Sequence, residues 1–450
     1  MAHPSRSANY VPAQIPTPAL LADIELTDLS EPLHLGEAHR AARLLVRLHG
    51  RPIGYADLIG GLAEPIDRAR ILAALDPAAT ARALRHLSAD HCAAGAQALP
   101  ADLSLGAALD LRVDVPCAHA DAPTDGPLIT VAVCTRDRAA SLAHTLDSLL
   151  RQTYRARDIL VVDNASRDDA TERMVCARYP AVRYVREPQP GLDWARNRAI
   201  TEARGSLIAY IDDDAIADPG WLQALVAGFA APDVACVTGL VAPLRLETPA
   251  QELFERFGFS KNFDQLTFRL ATPPANAGFP YKGYLGTGCN SAFRCSVFEH
   301  IGLFDVCLDV GTPVPGGGDL DMFARVIRAG YGLSYEPGAI VFHDHIDDMA
   351  ILIDKMGQYQ QASIAYFTKH ILADRERGLR LAVHIGWSMI RKPARGLAAV
   401  LIKRDRPLAL VLSQALGAWL GPLALYRSYR RAADRRDSQS SIQRQNLFRS

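Results

Sequence analysis

From Leu128 the chain alternates between two spacings of apolar residues. Ile129-Thr-Val-Ala-Val-Cys134 is an apolar, β-branched run and predicts a buried strand. Residues 139–150 set Leu142, Leu146, Leu149 and Leu150 on one face of a helix. Strands are predicted again at 158–163, 182–186, 207–211 and 234–241, with helices at 192–203 and 221–229 among them. Gly205 reads as the residue that closes the first of these helices. Gly316-Gly-Gly-Asp-Leu-Asp321 opens a further helix that runs to Ala329, and Ile340-Val-Phe-His-Asp-His345 reads as a last strand ending in histidines. This alternation predicts an α/β fold, a mainly parallel sheet with helices on both faces.

The flanks differ. Residues 1–20 are polar and proline-rich and read as disordered. Residues 41–48 and 53–58 predict a hairpin around His49-Gly-Arg-Pro52, and the alanine-rich stretch 64–98 has helical spacing. Residues 21–120 are therefore expected to form a small accessory α+β region, joined by a linker at 116–127 to the main unit at 128–348. Residues 244–284 are irregular and rich in Phe, Gly and Pro, as in a lid or acceptor loop. A helical region is expected over 349–435 and a polar tail over 436–450. Residues 407–426 carry no charge and lie between basic residues, just long enough to span a bilayer. Their prolines, glycines, Ser413 and Gln414 favour a helix on a membrane surface or packed on the main unit.

Composition narrows the classes. The 450 residues hold 49 basic and 49 acidic side chains, and this balance argues against a nucleic-acid partner. Eight cysteines without a CxxC pair read as reduced thiols, neither a disulfide framework nor a zinc site. The N-terminus has no apolar signal-like core, so a cytoplasmic location is expected.

Chemistry is suggested at several strand ends. The strand at 207–211 runs into Asp212-Asp-Asp214, and alternation places Asp212 and Asp214 on one side and Asp213 on the other. Two carboxylates on one side suit a divalent cation holding a diphosphate; the alternative is a solvated acidic turn. Asp163 either accepts hydrogen bonds from a base or ribose or forms an Asx-turn. Arg196 either pairs with diphosphate oxygens or lies on a solvated helical face. Asp319 is either a helix cap or a general base, approached closely through Gly316–Gly318, with Asp321 more supporting. His343 and His345 share one side of a strand end and, with the acidic triplet, suit Mn²⁺ or Mg²⁺.

Seven segments, in order, resemble the motifs of glycosyltransferase family 2. They are Val131-Ala-Val-Cys-Thr-Arg-Asp-Arg138, Val162-Asp-Asn-Ala-Ser166, Gly191-Leu-Asp-Trp-Ala-Arg-Asn197, Tyr210-Ile-Asp-Asp-Asp214, Gly288-Cys-Asn-Ser-Ala-Phe-Arg294, Ile301-Gly-Leu-Phe-Asp305 and Gly318-Asp-Leu-Asp-Met-Phe-Ala-Arg325. The resemblance covers Leu128 to about Asp348 and implies inverting nucleotide-sugar transferases with the Rossmann-like A-type glycosyltransferase fold. It implies donor contacts from Thr135, Arg138, Asp163, Asn164, Arg196 and Asp212. It implies a Mn or Mg ion on Asp212, Asp214 and His343, an acceptor or diphosphate loop with Gly288, Asn290 and Asp321, and Asp319 as base. The acceptor expected is a hydroxyl on a glycan, lipid-linked or cell-envelope molecule, with peripheral contact to the inner face of the membrane through 378–431. One departure is Gly318, where many members carry Glu before the aspartate.

Two other readings are weighed. A nucleotidyltransferase opens with a glycine-rich basic loop, and Thr135-Arg-Asp-Arg-Ala-Ala140 has no glycine. A non-catalytic nucleotide-sugar binder or scaffold of a polysaccharide-assembly complex has no need of Asp319.

Overall fold

The computed structural model describes residues 10–29, 31–34, 38–60, 63–95, 97–100, 102–111, 117, 124–259, 261–270, 285–373, 375–403 and 406–447. Most of the expected linker at 116–127 and part of the 244–284 segment lie outside them.

The N-terminal unit holds β1 (Ala19–Glu25), β2 (Ala41–Leu48) and β3 (Arg51–Ile59), then α1 (Arg68–Ala74), α2 (Pro77–Ala93) and α3 (Leu105–Asp110). β1 pairs parallel to β2, and β2 and β3 form the antiparallel hairpin. The alternate faces of these strands explain the packing. Ala42, Leu44 and Val46 meet Ile71, Ala79 and Leu87 of the helices, while Leu45 and Tyr55 meet Leu240, Phe263 and Ile340 of the main unit. Arg47–Asp218 at 2.6 Å and Arg51–Glu336 at 2.8 Å tie the two units together. The disorder expected for residues 1–20 does not extend over the described part. The Tyr10 amide donates to the Lys261 carbonyl at 3.0 Å, and Ile15 is buried beside Leu246. Apolar Ile15 and the Ala19 amide, bonded to Leu246, outweigh the polar composition that suggested disorder.

The main unit contains β4 (Ile129–Thr135), α4 (Ala139–Leu150), β5 (Arg157–Asn164), α5 (Ala170–Arg178), β6 (Arg183–Glu187), α6 (Leu192–Glu202), β7 (Leu207–Asp212) and β8 (Ala215–Ala217). It continues with α7 (Trp221–Ala227), β9 (Val234–Pro243), α8 (Pro249–Phe257), β10 (Leu266–Phe268), β11 (Asn290–Arg294), α9 (Val297–Ile301), α10 (Gly318–Arg328) and β12 (Gly332–His343). The sheet order is β10-β12-β9-β11-β7-β4-β5-β6, with β8 paired to β12. β4, β5, β6 and β7 are mutually parallel. β11 runs antiparallel between β7 and β9, and β9 is parallel to β12. The carboxyl ends of β4, β5, β7, β9 and β12 therefore share one edge of the sheet. Helices cover both faces, with Leu142, Leu146 and Leu149 of α4 in one core and Phe323 and Ile327 of α10 in the other. Truncating one such fully buried leucine to alanine costs about 2–5 kcal/mol.

Two local readings change. Gly205 is not a left-handed helix cap: a Cβ there would lie 2.3 Å from the Leu128 carbonyl, so close packing against β4 requires glycine. The segment after Leu244 is more regular than its composition implied. Thr248 and Gln251 form a capping box that starts α8.

The chain ends with α11 (Met349–Ala373), α12 (Arg375–Ala398) and α13 (Leu408–Leu447). α13 includes Leu408–Asp434, long and apolar enough to cross a membrane by length and composition, within which an 18-residue stretch has mean hydropathy 1.7. One side packs on the main unit through Ala418, Ala424 and Leu425. Leu412, Leu416 and Trp419 remain exposed, as do Trp387, Leu401 and Ile402 before it.

Candidate active site

The acidic cluster begins at a strand end, and Asp319 and Arg196 come from helices. β7 carries Asp212 to the sheet edge, and the next two residues turn toward β8. β8 pairs with β12 so that Ala215 stands opposite His343, and the Asp344 amide donates to the Asp214 carbonyl at 3.0 Å. This register brings carboxylate oxygens of Asp212 and Asp214 and a ring nitrogen of His343 within 4.8 Å of one another. His343 Nε2 lies 3.3 Å from Asp214.

Asp213 faces the other way. It accepts from Thr135 Oγ1 at 2.6 Å and from Arg138 at 2.7 Å. Arg138 also donates to Asp214 at 2.9 Å and thereby braces the turn. Thr135 is buried, so its hydroxyl supports Asp213 and does not face an open site.

Burial, and then the neighbouring Asp214 charge, raise the Asp212 pKa. Burial lifts Asp213 to about 6, against the opposing pull of Arg138 and Thr135. Burial lowers His343 to about 4, outweighing Asp214, so its ring is neutral near pH 7. Two crowded carboxylates beside a neutral imidazole offer a divalent cation oxygen and nitrogen lone pairs, and the donor set fits Mn²⁺ or Mg²⁺.

His345 is not part of this cluster, contrary to the sequence expectation. Its Nε2 lies 3.0 Å from Glu255, which also pairs with Lys261 at 3.0 Å, and its Nδ1 lies 3.4 Å from His343 Nδ1. The two rings stay in contact, with centroids 5.5 Å apart, but Glu255 engages Nε2 of His345 away from the cluster. Glu255 and Lys261, both fully buried, were not singled out from sequence, because each comes from the irregular segment after Leu244.

Asp319 stands in the first turn of α10. One carboxylate oxygen accepts from the Gly288 amide at 2.8 Å and the other from the Leu320 amide at 2.8 Å. It is not the cap; that position is Gly317, with φ +92°. Burial raises the Asp319 pKa, with Asp309 adding to the rise and Arg196 opposing it. Gly318 has a steric reason: a Cβ there would lie 2.2 Å from Asp193 Oδ2. The Asp193 carboxylate thus occupies the space that a side chain at 318 would need.

Arg196 is buried, not solvated. Its Nη1 donates to Asp193 at 2.9 Å and to Asp309 at 2.6 Å, and Nη2 borders Gly288. Asp163 is fully buried, holding Ser166 and, at 2.7 Å, the Tyr184 hydroxyl. Asn164 accepts from the Gly191 amide at 2.9 Å and donates to the Gln189 carbonyl at 2.7 Å. Both brace the loop before α6. Two other expected loop residues face elsewhere. Asn290 joins Trp221 to the Leu240 and Ala339 carbonyls. Asp321 pairs with Arg325, Lys369 and His370 at 2.9–3.0 Å on the α11 side. One turn position separates Asp319 from Asp321, which directs them to different sides of α10. Tyr359 of α11 was also missed; its buried phenol feels the Asp212 and Asp214 charges.

Comparison with known proteins bears on this site. Residues 130–302 match the family model of glycosyl transferase family 2. The matched segment runs from β4 to α9 and includes Asp163, Arg196, Asp212 and Asp214. It is 26% identical over 265 residues to a pre-mycofactocin glycosyltransferase of Mycobacterium tuberculosis, covering 58% of this chain and 52% of that one. It is 25% identical over 182 residues to a glucosyl-dolichyl phosphate glucuronosyltransferase of Haloferax volcanii, covering 39% and 56%. The chain spans about half the length of these curated relatives. A mannosyltransferase of Pyrobaculum calidifontis, solved with GDP-Man and Mn²⁺, is 18% identical with a TM-score of 0.45, covering 66% of this chain and 87% of that one.

Proposed function

We propose that the chain transfers a sugar from a nucleotide-diphosphate donor to an acceptor hydroxyl, with inversion at the anomeric carbon. The observation that carries this reading is the pair of chemically distinct groups at one sheet edge: the Asp212–Asp214–His343 cluster and the half-buried Asp319. A divalent cation, Mn²⁺ or Mg²⁺, held by the cluster supplies positive charge that offsets the leaving diphosphate. Arg138 keeps Asp214 in place, and the Arg196 guanidinium, bordering Gly288, offsets part of the charge at Asp319. Asp319 takes the proton of the acceptor hydroxyl as that oxygen bonds to the anomeric carbon. The carbon–phosphate-oxygen bond breaks in the same displacement, so no protein nucleophile is needed. A raised Asp319 pKa strengthens it as a base while two backbone amides hold its orientation.

A lipid-linked or cell-envelope acceptor is supported by position. A cavity of about 700 Å³ lies between α8, α11, α12 and α13, lined by Phe257, Met356, Tyr359, Leu410, Val411 and Ala418. Tyr359, which lines this space, also feels the Asp212 and Asp214 charges. The exposed Trp387, Leu401, Ile402 and Trp419 suit peripheral contact with the inner face of a membrane. The test is transfer from a nucleotide-sugar panel to lipid-phosphate sugars in vesicles, by wild type and Asp319→Asn. Metal-dependent transfer lost in the variant supports the reading; equal turnover by the variant contradicts it.

A further inference from the structure

The N-terminal unit holds a second convergence of ligating side chains that the transfer chemistry does not use. His49 sits at the tip of the β2–β3 hairpin. His86 and Asp90 are one turn apart on the same face of α2. Cys117 comes from the connection that leads from α3 toward β4. These residues are widely separated in sequence, which is why their spacing gave no zinc signature.

Their ligand atoms meet closely. His49 Nδ1 lies 3.1 Å from His86 Nε2 and 3.0 Å from Asp90 Oδ2. His86 Nε2 lies 3.2 Å from Asp90 Oδ2 and 3.1 Å from Cys117 Sγ. All four ligand atoms fall within 4.8 Å of one another. His86 Nε2 therefore faces three groups at hydrogen-bond distance, and a ring nitrogen carries at most one proton to share among them. Four ligands around one zinc ion, with bonds of roughly 2.0–2.3 Å, stand roughly 3.3–3.8 Å apart, close to this arrangement.

The backbone gives a second, independent observation. His49 adopts φ +50°, a left-handed conformation that costs energy for a residue with a Cβ. The turn needs left-handed residues, but glycine or asparagine would meet that need more easily. At this position the strain aims an imidazole at α2. The site is also enclosed: the His86 and Asp90 side chains are only 10% and 11% exposed, and Cys117 is buried. His49 forms the accessible rim.

We propose that His49, His86, Asp90 and Cys117 bind a structural transition-metal dication of the zinc class. Mixed imidazole, thiolate and carboxylate donors in a closed set of four suit Zn²⁺ or Co²⁺ better than Mg²⁺ or Ca²⁺. Binding converts the Cys117 thiol to a thiolate and releases its proton to solvent. The ion pins the hairpin tip to α2 and fastens the connection to the main unit at Cys117. It is separate from the Asp212–Asp214–His343 cluster, which contains no sulfur.

That difference defines the test. The full chain is stripped with a chelator and titrated with Co²⁺, then with Zn²⁺. One equivalent of Co²⁺ is expected to give tetrahedral bands and a thiolate-to-cobalt charge-transfer band, both displaced by Zn²⁺. The Asp214→Ala variant keeps the thiolate band, and Cys117→Ser loses it. His49→Ala, altered at the exposed hairpin tip, is expected to keep its far-ultraviolet circular dichroism and to bind zinc at least about tenfold more weakly. No thiolate band in the wild type, or an undiminished band in Cys117→Ser, overturns the proposal. So does unchanged zinc affinity in folded His49→Ala.

Discussion

Gly318 Cα carries no side chain because Asp193 stands against it: a Cβ would lie 2.2 Å from Asp193 Oδ2. Asp193 in turn pairs with Arg196, whose other partner is Asp309. The glycine therefore keeps the helix that carries Asp319 close to an internal arginine. Gly318→Ala is expected to destabilise the fold by about 1–3 kcal/mol through overpacking. A lowered Tm in thermal unfolding checks this, and an unchanged Tm would mean that Asp193 moves aside freely.

Under the proposed mechanism Asp319→Asn keeps the shape and removes the proton acceptor. The expected result is a fall in kcat of about 10²–10⁴-fold with little change in the donor's KM. Steady-state kinetics separates this from a binding defect, which would raise KM at constant kcat.

A cation held by Asp212 and Asp214, as proposed, would compete with protons. Burial and the adjacent Asp214 raise Asp212, so the cation-free site holds its proton further up the pH scale than an ordinary carboxyl. Mn²⁺ affinity should therefore increase as pH rises, with proton release on binding. Calorimetry in buffers of different ionisation enthalpy reads both. Affinity independent of pH would argue that Asp212 is not a ligand.

Asp321 provides a pH test of stability. Its pairing with His370, Lys369 and Arg325 overcomes the largest influence, burial, and holds its pKa well below the usual carboxylate range. The folded value lies below the unfolded one, so its stabilisation is present above about pH 4 and is lost as pH falls below that. Asp321→Asn should cost about 3 kcal/mol at pH 7 by removing the charge that Arg325 and Lys369 pair with. Urea unfolding should show the gap from wild type closing in acid; a gap that widens in acid contradicts the assigned sign.

The sequence made the main sheet legible because its strands are continuous apolar runs, such as Ile159 to Val162, ending in polar residues. Alternation along an extended backbone set Asp212 and Asp214 together, and the structure brings them together through the turn that follows β7. Other features depend on partners distant in sequence. Whether Asp163, Asn164, Asn290 and Asp321 face a ligand or the interior is decided by Tyr184, Gly191, Trp221 and His370. The Glu255–Lys261–His345 arrangement behind His343 was hidden because α8 interrupts a segment that composition marked as irregular.

The most direct measurement is thermal unfolding of the full chain with a panel of nucleotide sugars, with and without Mn²⁺, for wild type and Asp214→Ala. A ligand bound to the native state at about 100 times its Kd adds about 2.7 kcal/mol of stability. The account predicts a rise in Tm with one donor that requires Mn²⁺ and disappears in folded Asp214→Ala. An equal rise without the metal, an equal rise in the variant, or no rise with any donor would contradict it.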